Sequence, residues 1–126
     1  MKAIINNYFN IEENNKVYHL IETDDLNMIN INNLFNEIRV LKGENPYNIE
    51  EGLTLDYIIN KDLNNLLVEV KAILDKYDFL GQIDFTILED IETECYNLYI
   101  AILLNEPIII NNKEHTIIRQ QTTLGV

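Results

Sequence analysis

With 126 residues, 21 acidic and 9 basic side chains and a formal net charge of −12, the chain has room for one domain, spanning 1–126, with a strongly acidic surface. Charge of that sign and size excludes the basic patch on which direct nucleic-acid binding depends and works against docking on anionic lipid. Hydrophobic residues make up 47% of the sequence, enough for a packed core and too many for disorder.

The chain opens on a strand-like alternation. Ala3, Ile5, Phe9 and Ile11, then Val17, His19 and Ile21, recur with a period of two around the polar break Glu12-Glu13-Asn14-Asn15, which predicts a β-hairpin over 2–22. The period then changes. Ile31, Leu34, Phe35, Ile38 and Leu41 fall on one helical face, with Asn30 as its expected cap and Gly43 and Pro46 as stop signals. After a polar loop, Thr54 to Ile59 predicts a short helical turn. Asp62 then caps a clearer helix with Leu63, Leu66, Leu67, Val70, Leu74 and Tyr77 on one face, ending before Gly81.

Strand periodicity returns at Ile83, Phe85 and Ile87. The acidic run Glu89 to Glu94 reads as a turn, Cys95 to Leu104 as a long strand, and Pro107–Ile110 with Thr116–Gln121 as a last hairpin. The expected fold is α+β: an antiparallel sheet of about six strands with two helices on one face, in the order ββ-αα-ββββ. In the long strand Tyr96, Leu98, Ile100, Ile102 and Leu104 face one way, and Tyr99, Ala101 and Leu103 the other. Both sets are apolar, so both faces call for cover, from a curled sheet, a second copy or a partner protein.

Candidate chemistry is sparse. Cys95 and His115 would form an activated thiolate pair if their strands brought them together, but four acids just before Cys95 disfavour a thiolate. Glu69-Val70-Lys71, with Asp56 or Asp62, has the outline of a metal-dependent nuclease site. That chemistry needs Glu and Lys on one face of a strand, and here they lie in a helix, where i and i+2 diverge. His19 sits on an apolar strand face with no second ligand spaced for a metal. Arg119 and His115 are candidate ligand-binding residues. Arg119 can hold a phosphate or carboxylate bidentately, or make a cross-strand salt bridge. No phosphate loop, dinucleotide fingerprint or nucleophile elbow is present, and nothing calls for a cofactor or a metal.

The remaining surface signal is charge. Glu12, Glu13, Glu50, Glu51, Glu89, Asp90, Glu92 and Glu94 fall in three expected turns, and acidic turns suit a basic protein partner. The sequence therefore predicts a non-enzymatic inhibitor, of toxin-immunity or phage-borne anti-defence type, that masks a basic surface of a nucleic-acid-processing target. A phage or mobile-element assembly protein that oligomerises through the apolar sheet face, and a small-ligand-binding protein, are the alternatives. The single cysteine excludes an intrachain disulfide, Met1–Asn7 holds no apolar run of signal-peptide length, and the apolar stretch 98–104 is far shorter than the ~20 residues that span a bilayer. Together they predict a cytoplasmic protein with no membrane association.

Overall fold

The computed structural model describes the backbone of residues 3–6, 12–13, 16–17 and 20–23 and all of 25–110 and 113–124, with side chains from Asp25 onward, Ile110 excepted. Among these residues the fold is α+β, with three helices followed by a three-stranded antiparallel sheet. The six-stranded sheet in ββ-αα-ββββ order is therefore corrected, for two physical reasons.

The first concerns the N-terminal strands, which pair with one another. Strand β1 (Ala3–Asn6) pairs with β4 (Leu20–Thr23), and β2 (Glu12–Glu13) with β3 (Lys16–Val17), all antiparallel and outside the main sheet. Glu12 and Glu13 thus lie in a strand and not in a turn; Asn14, Asn15 and His19 lie outside the described residues.

The second concerns Asn105-Glu106-Pro107, which reads as a break between strands. The chain runs straight through it as one strand of 16 residues, β6 (Cys95–Ile110), between β5 (Gly81–Asp90) and β7 (Lys113–Thr123). Pairing with β7 shifts between Leu103 and Ile108. Proline has no N–H to give a ladder, and an irregularity is where a strand tolerates it.

The helices are placed by their caps. Helix α1 (Leu26–Arg39) is capped five residues before the expected cap Asn30, by Asp25, whose carboxylate accepts a hydrogen bond from the Asn27 amide at 2.9 Å. One of the four N–H groups orphaned at a helix start is met this way. Helix α2 (Leu55–Ile59) is one short segment. Helix α3 (Leu63–Asp75) is capped by Asp62, as its sequence predicts.

Met28, Ile31, Leu34, Phe35 and Ile38 of α1 and Leu66, Val70, Ile73 and Leu74 of α3 share one buried cluster with Tyr96, Leu98, Ile100, Ile102 and Leu104 of β6. At about 1.5–3 kcal/mol for each large side chain taken from water, this single cluster fixes both helices on the inner face of the sheet. The strand face containing Leu98 is therefore the covered one. Among the described residues nothing covers the face containing Leu103.

Two acids are built into this layer. Glu37 of α1, almost fully buried, accepts hydrogen bonds from Lys76 Nζ and from the Tyr77 hydroxyl, the latter at 2.9 Å. Burial pushes the Tyr77 phenol well above its ordinary pKa, and the Glu37 carboxylate beside it pushes it further. Glu69 of α3 accepts from the amide and hydroxyl of Thr54 and pairs with Lys42 at 3.3 Å, tying the loop before α2 to α3.

Candidate functional site

The antiparallel register sets the outer face row by row. Gln82 lies opposite Leu103 and Leu103 opposite Ile117; Asp84 opposite Ala101 and Ala101 opposite Arg119; Thr86 opposite Tyr99 and Tyr99 opposite Gln121. Paired residues in an antiparallel ladder point to the same side. Leu103, Ile117 and Tyr99 are all exposed there, at roughly half their free surface for the first two. The sequence expectation that this apolar face needs cover is thus sharpened: no described element of the chain covers it.

At its centre Ala101 is small, and the flanking side chains rise around it. They enclose an open hollow of about 410 Å³ lined by Asp84, Thr86, Tyr99, Ala101, Arg119 and Gln121. Asp84 and Arg119 stand on either side of Ala101, two strands apart. At a strand spacing of about 4.8 Å their backbones are roughly 10 Å from each other. Both are exposed, and among the described residues neither makes an ion pair. The cross-strand salt bridge expected of Arg119 is not formed. The sequence marks Arg119 and sets Ala101 on the outer face of the long strand, but only the register of three strands puts Asp84 in one row with them.

One end of this face is the β5–β6 turn. Asp90 and Cys95 are its last pair, the Asp90 carboxylate accepts from the Glu92 amide at 3.1 Å, and the Glu94 amide closes on the Asp90 carbonyl at 2.8 Å. Lys61, from the α2–α3 connection, holds the turn from below. Its ammonium donates to the Glu94 carbonyl, pairs with Glu89 at 3.5 Å and lies 4.8 Å from the centre of the Tyr96 ring, a cation–π arrangement. The tip so held presents Ile91 at 89% exposure and Leu88 at 55%, among Glu89, Asp90, Glu92 and Glu94. The signal in the sequence was the placement of Ile91 inside the acidic run.

The other acidic residues do not join this patch. Glu51 accepts a side-chain hydrogen bond from Asn45, and Glu50 lies beside Glu37, Lys42, Glu69 and Lys76 at the α1–α3 side. Glu12 and Glu13 belong to the N-terminal ribbon. The eight acids of the sequence reading thus divide into a four-residue tip and separate sites.

The remaining chemical candidates separate. Cys95 is at the β5–β6 turn, whereas His115 pairs with Ile108 beyond the strand irregularity. At about 3.3 Å per residue the thirteen residues from Cys95 to Ile108 put them some 40 Å apart along the sheet. His115 does not line the hollow at Arg119. Glu69 turns to Thr54 and Lys42, while Lys71 pairs with Asp75 one turn along the helix at 3.1 Å, so Glu69 and Lys71 share no site. Among the described residues no three His, Cys, Asp or Glu side chains gather as a metal site, and no helix is long and apolar enough to cross a membrane. Comparison with protein-family models, with curated proteins and with solved structures gave no match.

Proposed function

We propose that this chain is a non-enzymatic binding protein that sets its acidic hairpin tip, Glu89 to Glu94, against a basic protein surface. The supporting observation is the exposed Ile91 within a ring of carboxylates on a turn braced by Lys61. Complementary charge speeds encounter and selects the partner, and Ile91 supplies desolvated area, about 2 kcal/mol if fully buried. A surface built to hold nucleic acid has the positive potential such a tip would meet. This supports the inhibitor reading, of immunity or anti-defence type, over the assembly and small-ligand readings, which draw on the sheet face instead.

The test is capture from an extract of the source cells by tagged protein, with the double variant Ile91→Ser/Glu92→Lys as control. Both residues are exposed, so the fold should survive. The expected result is a basic partner held by the wild-type chain and bound at least about ten-fold more weakly by the variant, with the difference shrinking as salt rises. Equal capture by both, or a captured set without basic proteins, sinks the reading.

A further inference from the structure

We propose that the open sheet face is an interface between two copies of this chain, related by a two-fold axis that runs along β6. The argument starts from the row Asp84–Ala101–Arg119. A 180° rotation about an axis lying between two such faces, parallel to β6, carries β5 of one copy over β7 of the other. Asp84 then faces the partner's Arg119, and Arg119 faces the partner's Asp84. The two exposed, unpaired charges of the isolated chain become two reciprocal ion pairs, which is the self-complementarity an isologous interface requires.

The same operation sets Ala101 on the partner's Ala101 and Leu103 on the partner's Leu103, and Gln82 covers the partner's Ile117. The alternative axis, across the strands, sets Asp84 on the partner's Asp84 and Arg119 on the partner's Arg119, and like charges in contact disfavour it. Charge complementarity along this row therefore favours a second copy as the occupant, and this orientation of it. Sheets stacked face to face cross at about 30°. At one strand spacing from the axis that rotation displaces facing residues by only about 2.5 Å, within the reach of an arginine. The hollow over Ala101 gives the partner's Arg119 room to lie down against the sheet.

The predicted association is weak. Three strands of about ten residues make a face roughly 14 by 30 Å, so the pair buries about 800–1,000 Å² in all, at the low end for specific interfaces. Each copy also carries a net charge of −12, which opposes encounter and is best measured against at about 150 mM salt, where screening acts beyond about 8 Å. The turn residues Ile91 to Glu94 of the proposed function lie at the end of this face and Leu88 within it, and the axis brings the two acidic tips side by side, a like-charge contact that weakens the pair further at low salt. The inference does not rest on that function, and either can fail without the other.

Light scattering over about 10 to 500 μM tests it. The mass of the wild-type chain should rise from 14.8 kDa toward twice that value. Arg119→Asp and Asp84→Arg, each placing two like-charge contacts in the interface, should each weaken dimerisation about ten-fold or more. The swap Asp84→Arg/Arg119→Asp should restore it, and so should an equimolar mixture of the two single variants. A wild-type chain that stays monomeric across the range overturns the proposal. So does a dimer unmoved by either single change, or one that neither the swap nor the mixture restores.

Discussion

Replacing Gly52 by alanine should cost about 3–5 kcal/mol and lower the melting temperature by about 10–15 °C. Gly52 closes the loop after α1 with φ of +101°, a conformation that costs an L-residue about 1–2 kcal/mol. A Cβ there would also lie 2.1 Å from the Val40 carbonyl oxygen. That oxygen accepts the Leu53 amide at 2.9 Å, and the Leu53 carbonyl accepts the Lys42 amide at 2.9 Å. Relieving the overlap means opening this pair of hydrogen bonds, the bridge that sets Leu41 beside Leu53. Leu53 is itself wholly buried, so the disturbance reaches the core. Gly43→Ala is the control: its φ is +93°, yet its Cβ would meet nothing within 4 Å, and only the conformational cost, about 1 kcal/mol, should appear. Equal melting temperatures for the two variants would contradict the steric account.

Phe35→Ala should lower the free energy of unfolding by about 3–5 kcal/mol, read as the urea midpoint at unchanged slope. Phe35 is the largest of the fully buried side chains and is 1% exposed on the α1 face that meets the sheet. Deleting it removes its transfer energy and leaves a cavity that rigid neighbours fill only in part. A domain of this size has about 5–15 kcal/mol to lose, so the variant should sit near the edge of folding. The contrast with Ile91→Ala is informative: a side chain at 89% exposure should change stability by less than about 0.5 kcal/mol while weakening partner capture. A Phe35→Ala midpoint within error of wild type would mean that α1 does not pack as described.

Local chemistry was legible in the sequence. Asp62 could be read as the cap of α3 because a carboxylate at that position meets an orphan amide whatever the rest of the fold does. The start of α1 was misread because asparagine recurs at 27, 30, 32 and 33, and each can cap a helix as well as sit inside one. Only packing, through the buried Met28, makes Asp25 the cap. The sheet was over-counted because periodicity identifies strands and not their neighbours. Nothing local states that the 3–23 strands stay outside the main sheet, or that strand β6 continues through Pro107 across a shift in pairing. The candidate surfaces follow the same division. The acidic tip was visible as a run of residues. The Asp84–Ala101–Arg119 row was not, because it depends on the register of two hairpins at once.

The bridge between Leu41 and Leu53 also makes the segment it encloses an insertion site. Lys42 and Leu53 are clasped at the neck, and within the loop Tyr47 is 97% exposed, so an insertion at the tip acts on the loop's own Asn48–Asn45 and Gly43–Ile49 hydrogen bonds and leaves the neck in place. Doubling a flexible loop costs only about 0.6 kcal/mol in closure entropy. About a dozen glycine and serine residues placed between Tyr47 and Asn48, at the further loss of about 1 kcal/mol for the Asn48–Asn45 hydrogen bond, should therefore leave the melting temperature within about 8 °C of the parent. A fluorophore or affinity tag carried there would leave the residues of the hairpin tip and of the sheet hollow unaltered.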